Sequence, residues 1–286
     1  MSSLFLLGFG AIGQDLVALL GPELDRRELH ILGAAVRDPG ARREAPASFP
    51  LIPVTEARDA YADADLIVEC AGVGAAIEHG PAVVRAGRDL LLTSVGALVD
   101  EDARLGMLSG PGSLTVTNGA IGGLDILAAA AQADGLDAVS IQTSKLASSL
   151  VRPWMSDAER AGILALEPGD DPIVAFDGDP KLAIAKFPAN INVAVALAWA
   201  TQELLPQTAT PKERSVAFAR SLARVRVRIL ADPDATLSRH IIRATGASGD
   251  YEFVLQNAPS PTNPRTSGVT AMSLARDVRR HFSSPR

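Results

Sequence analysis

Six residues near the start, Gly8-Phe9-Gly10-Ala11-Ile12-Gly13, constrain the fold of this chain more than any others. They follow an apolar run, Leu4-Phe5-Leu6-Leu7, and lead into residues 11–20, whose apolar side chains recur at helical spacing. Between a strand and a helix, three glycines so spaced have separate uses: the first permits a tight turn, the second lets phosphates approach the backbone, and the third lets the helix lie close on the strand. The free N–H groups and partial positive charge at the helix start suit a pyrophosphate. The motif therefore reads as a dinucleotide cradle in which Gly8, Gly10, Ala11, Ile12 and Gly13 meet the ligand. The same apolar start is too short, and too broken by glycine, to be a spanning helix.

A cradle of this kind needs a parallel sheet around it, and the sequence supplies one. Short apolar runs at residues 4–7, 30–36, 65–68, 90–93 and 113–116 predict strands, with helices over 11–20, 75–86 and 100–108 between them. The runs are continuously apolar, so both faces of the sheet are covered. The expected fold class is α/β, a Rossmann-type doubly wound parallel sheet. Beyond Asn118 the pattern changes to helices over 124–133 and 190–204 and strands over 138–143, 173–176, 225–230, 239–244 and 251–256, which predicts a second, α+β domain. The division is residues 1–118 for the dinucleotide and 119–263 for substrate and oligomerisation. An amphipathic helix over 264–286 is expected to return to the first domain, capped by Asn263 or Thr266 with Pro264 in its first turn.

The acid that holds an adenosine ribose is expected at the end of the second strand, where the chain reads Val36-Arg37-Asp38-Pro39. Asp38 suits ribose hydroxyls and Arg37 suits a 2′-phosphate, so NAD and NADP both stand as cofactors. Ala71 and Gly72, after the third strand, leave room for the rest of the dinucleotide. A net charge of −6 with no basic stripe excludes nucleic acid as a partner. No histidine or cysteine cluster has ligand spacing, so no metal is expected. The single cysteine, Cys70, reads as a buried, inert thiol in a cytoplasmic protein. Of the four histidines, His30, His79 and His281 read as structural. His240 follows a polar loop at the head of a strand, where an imidazole suits proton transfer.

Four stretches resemble the L-aspartate dehydrogenase family: the glycine cradle; Asn118-Gly119-Ala120-Ile121-Gly122-Gly123-Leu124-Asp125; Lys186-Phe187-Pro188-Ala189-Asn190-Ile191-Asn192-Val193-Ala194; and Ala231-Asp232-Pro233 through His240 to Asn263-Pro264-Arg265-Thr266-Ser267. The resemblance implies hydride transfer between NAD(P) and the α-carbon of aspartate. It places Ala120 against the cofactor, Asn190 by nicotinamide and substrate, and His240 as the catalytic histidine. Asn192, Arg265 and Thr266 join Asn190 as substrate contacts. The pattern departs from the family over residues 143–150, Thr-Ser-Lys-Leu-Ala-Ser-Ser-Leu, in place of an Arg-Lys-Pro run. Lys145 is kept as a carboxylate partner, and Arg152, Arg239 and Arg265 are further cations able to hold a second carboxylate. A different amino or oxo acid, or a non-catalytic dinucleotide-binding module, are the alternative readings. A homodimer is expected through the apolar helix from residue 193 and the sheet of the second domain.

Overall fold

The computed structural model describes residues 2–43, 47–187, 192–263 and 266–283, with Tyr61 described by its backbone alone. In chain order its elements are β1 (Ser2–Leu7), α1 (Ala11–Leu19), α2 (Gly21–Asp25), β2 (Leu29–Val36), β3 (Leu51–Pro53), α3 (Ala57–Ala60), β4 (Leu66–Glu69), α4 (Val73–Arg85), β5 (Asp89–Leu92), α5 (Glu101–Leu108) and β6 (Leu114–Val116). There follow α6 (Leu124–Gln132), β7 (Ala138–Leu146), α7 (Asp157–Leu164), β8 (Ile173–Gly178), α8 (Pro180–Lys186), α9 (Asn192–Ala200), α10 (Pro211–Arg224), β9 (Val225–Asp232), β10 (Ser238–Gly246), β11 (Gly249–Asn257) and α11 (Gly268–Ser283). The chain forms two compact units. One comprises Met1–Ala120, Thr208–Val216 and Ser260–Arg286, the other Ile121–Gln207 and Ala217–Pro259. Among the described residues no helix is long and apolar enough to cross a membrane.

The first unit is a six-stranded parallel sheet in the order β3-β2-β1-β4-β5-β6. Strand order reverses between β1 and β4, and the carboxyl ends of strands flanking such a switch form a crevice for ligands. The continuous apolar runs are buried on both sheet faces: Leu4, Phe5, Leu6 and Leu7 of β1 are all buried, as are Leu66, Ile67 and Val68 of β4. Leu16 and Leu20 pack on one face together with Leu274, Ala275 and Val278 of α11. Removing each large aliphatic side chain from water contributes about 1.5–3 kcal/mol. α11 starts at Gly268, and the expected start at Pro264 lies outside the described residues; ahead of the helix Ser260 N–H donates to the Thr266 carbonyl (2.7 Å) and Thr266 N–H to the Asn263 carbonyl (3.0 Å). Neither Asn263 nor Thr266 is therefore adjacent to the helix start.

The second unit carries a mixed five-stranded sheet, β11-β10-β7-β9-β8, in which only β7 and β9 run parallel. In β9, Val225, Val227, Ile229 and Ala231 are buried while Arg226 and Arg228 face outward, the alternation of a sheet covered on one side. β7 runs three residues past the predicted end because Ser144, Lys145 and Leu146 continue the pairing with Leu230, Ala231 and Asp232 of β9. α9 ends at Ala200, not at 204. Ala194 through Ala198 are buried, while Val193, Trp199 and Ala200 are partly exposed. The expected helix start at 190 lies outside the described residues.

Candidate active site

The cradle's glycines divide by what surrounds them. Gly8 has φ +104°, and a Cβ there would lie 2.6 Å from the Ala71 nitrogen, so the close approach of the turns that follow β1 and β4 itself requires glycine. A Cβ on Gly13 would lie 3.0 Å from the Gly8 carbonyl oxygen and 3.3 Å from Cys70 Sγ. Gly10 differs: it has no positive φ, and a Cβ on it would meet nothing within 4 Å. Nothing in the protein demands glycine at this exposed position, so the space beside its backbone suits a ligand. Gly10 caps α1 without a side-chain hydrogen bond, which leaves first-turn N–H groups for an anion. The observed cradle fits a dinucleotide pyrophosphate.

Glu69 organises the neighbouring loops. This carboxylate, fully buried at the end of β4, accepts from Ala71 N–H (2.8 Å), Gly72 N–H (2.9 Å), Ser94 N–H (2.8 Å) and the Ser94 hydroxyl (2.9 Å). Burial pushes its carboxyl above the usual range, and the four donors oppose that push. It thereby ties the loop after β4, which carries Ala71 and Gly72, to the loop after β5. Sequence reasoning gave Glu69 no role, although a lone acid closing the apolar run Leu66-Ile67-Val68 was a signal. Cys70 donates from Sγ to the Gly8 carbonyl (3.1 Å), and burial followed by the Glu69 charge pushes its thiol far above the ordinary range, which keeps it unreactive.

At the end of β2, Arg37 and Asp38 are both exposed. Asp38 Oδ1 accepts from Gly40 N–H (2.8 Å), and the Arg43 guanidinium spans the same turn, donating to the carbonyls of Asp38 (2.9 Å) and Ala41 (2.6 Å). Arg43 is a cation that the sequence reading did not single out. Ser260 and Thr262 are fixed to α1 by their hydroxyls, which both donate to Asp15. Thr266 thus lies in the first unit, and so does Ala120.

The second unit brings His240, Thr143 and Lys145 together. His240 of β10 stands opposite Thr143 of β7, and His240 Nδ1 lies 2.9 Å from the Thr143 hydroxyl oxygen. Side chains two residues apart on a strand share a face, so Lys145 projects to the same side. Burial, then the Lys145 charge, lowers the His240 imidazole to about 4. Burial, then the Arg152 charge, lowers Lys145 in turn. Arg152 donates from Nη1 to the carbonyls of Ser149 (2.9 Å) and Val151 (2.8 Å) and lies 5.6 Å from the centre of the Phe187 ring. Phe187 meets Trp154 and Phe176 edge-on. Trp154 donates from Nε1 to the Lys186 carbonyl (3.0 Å). Arg239, paired with Ser144, is exposed on the opposite face of the sheet from His240, which removes it as a partner of a substrate beside the imidazole. Asn192 opens α9. Asn190 and Arg265 lie outside the described residues.

Residues 125–281 match the model of the aspartate dehydrogenase C-terminal domain, the region that contains Thr143, Lys145 and His240. The chain belongs to the aspartate dehydrogenase family. Residues 8–109 match the NAD-binding domain of homoserine dehydrogenase. The chain is 34% identical over 280 residues to an L-aspartate dehydrogenase of Ralstonia pickettii, covering 95% of this chain and 94% of that protein. It is 30% identical over 286 residues to one of Pseudomonas aeruginosa, with 98% of each covered. The crystal structure of an aspartate dehydrogenase from Thermotoga maritima superposes with a TM-score of 0.66 at 26% identity, covering 100% of this chain and 98% of that one. Residues 143–150 form the end of β7 and the 3-10 turn Ala147–Leu150.

Proposed function

We propose that this protein is an NAD(P)-dependent L-aspartate dehydrogenase that oxidises L-aspartate to iminosuccinate, which water converts to oxaloacetate and ammonia, or runs the reverse reductive amination. The observation that carries the reading is the buried His240–Thr143 pair with Lys145 on the same face, within the region that matches the aspartate dehydrogenase C-terminal domain. Bound NAD(P) supplies the acceptor, or donor, of the α-carbon hydride. The cradle from Gly8 to Gly13 holds its pyrophosphate, Ala71, Gly72 and Ala120 line its path, and Asp38 and Arg37 meet the adenosine ribose or its 2′-phosphate. In the second unit Lys145 and Arg152, close enough for one charge to act on the other, suit the two carboxylates of a four-carbon diacid. His240, neutral at physiological pH, handles the oxygen or nitrogen at the reacting carbon. Asn190, Asn192, Arg265 and Thr266 are assigned to substrate on the family pattern.

The deciding assay mixes the protein with oxaloacetate, ammonium and NADH or NADPH and follows the absorbance of the reduced nicotinamide. Ammonium-dependent oxidation is expected; none with either cofactor would overturn the reading. The departure at residues 143–150 supports a second reading, a related oxo acid, and activity confined to oxaloacetate in a panel of oxo acids would remove it. We further propose a homodimer in the cytoplasm. Val174, Leu146 and Val254 share the outer face of the second sheet and are 42%, 47% and 49% exposed. Light scattering that reads a monomer would refute the dimer.

A further inference from the structure

A hydroxyl and an imidazole can share a hydrogen bond in either sense, and the surroundings of Thr143 decide which. Both residues are buried, Thr143 2% and His240 5% exposed. Among the described residues the Thr143 hydroxyl has no hydrogen-bond partner besides His240 Nδ1. A hydroxyl carries one proton and two lone pairs. A buried O–H with no acceptor incurs its full desolvation penalty, whereas an oxygen that already donates tolerates unfilled lone pairs. The Thr143 proton therefore goes to Nδ1, the acceptor in reach. Once the Nδ1 lone pair is so engaged, the proton of a neutral ring resides on Nε2.

We propose that Thr143 is a positioning residue that fixes His240 as the neutral Nε2–H tautomer, so that the histidine meets substrate as a hydrogen-bond donor and not as a base. The inference rests on the reading of His240 as the catalytic histidine. In that role Nε2–H polarises the carbonyl oxygen of the oxo acid toward attack by ammonia: the C–N bond forms as the C=O π pair moves to oxygen, two protons of the nitrogen pass to that oxygen, and it leaves as water to give the imine. The ring keeps its own proton throughout, so no proton needs to be returned to it between turnovers. A neutral imidazole used in this way draws its strength from a dry site and a fixed orientation, both of which β7 and β10 provide. Lys145 adds to this: an imidazolium would put a second positive charge near its half-buried ammonium.

The test compares the wild type with Thr143→Val, which removes the hydroxyl at nearly constant volume, and Thr143→Ser, which keeps it. In protein labelled with 15N at histidine, with the His240 resonances identified by their loss in His240→Asn, the wild type is expected to show a pyridine-type Nδ1 and a pyrrole-type Nε2 at neutral pH. Thr143→Val is expected to lose that pattern and to lower kcat by about tenfold or more with the cofactor KM unchanged. Thr143→Ser should restore both. A pyrrole-type Nδ1 in the wild type overturns the proposal, as does a Thr143→Val protein with unaltered tautomer and kcat. The wild-type spectrum needs neither turnover nor a folded valine variant. It therefore decides the tautomer even if the ammonium-dependent assay fails, which would count against the aspartate reading alone.

Discussion

Gly8 and Gly10 sit two residues apart in one motif, yet opposite outcomes are expected from the same substitution. Gly8→Ala forces a Cβ against the Ala71 backbone at a φ of +104°, and the folded state should lose about 2 kcal/mol or more, measured by urea denaturation. Gly10→Ala meets nothing. Its stability should stay within about 0.5 kcal/mol of the wild type, while its affinity for NAD(P), read by fluorescence titration, falls by about tenfold as the methyl enters the space proposed for pyrophosphate. Unchanged affinity in Gly10→Ala would argue against the cradle's assignment. The motif was legible because its meaning is local: strand, turn and helix are consecutive. The partner of His240 was not, since Thr143 lies 97 residues away and no spacing rule connects them.

At the level of elements, the strands that were easiest to read are those buried on both faces. The helices missed were polar ones with short apolar stripes. Their starts were nonetheless written in the sequence. Ser156 and Glu159 form a capping box before α7, and before α10 the Thr210 and Glu213 side chains each bond the other's backbone N–H, at 3.3 and 2.7 Å. Glu69 belongs to this scale because it links the ends of β4 and β5. Replacing it with alanine leaves three backbone N–H groups and a hydroxyl without their acceptor, each costing about 1–3 kcal/mol if it stays unpaired. A loss of about 3 kcal/mol is expected in chemical denaturation, together with weaker cofactor binding, since the loop carrying Ala71 and Gly72 is released. A Glu69→Ala protein as stable as the wild type would mean that these loops hold themselves.

For the whole molecule, the buried imidazole makes stability depend on acidity in a direction that can be worked out. His240 titrates at about 4 in the folded chain against an ordinary value of 6.5. As pH falls below 6.5 the unfolded chain takes up a proton that the folded chain refuses, so stability is lost between about pH 6.5 and 4 and is fully present above that window. At pH 4.5 the loss from this one group is about 2–3 kcal/mol. Denaturation midpoints at pH 7 and 4.5 should therefore fall further in the wild type than in His240→Asn; equal falls would show that the ring is accessible to protons in the folded state. The same scale separates what was readable from what was not. The sequence by itself determined the class of the first unit and the dinucleotide cradle, because each rests on short-range patterns, apolar period and glycine spacing, while His240 was singled out by the family resemblance. Only tertiary structure decided that β7 continues through Lys145 to pair with β9, that Arg239 faces away from His240, and that the Thr143 hydroxyl meets His240 Nδ1. These depend on register between strands far apart in the chain, and register is fixed by which faces find a core, a choice that no local segment can make alone.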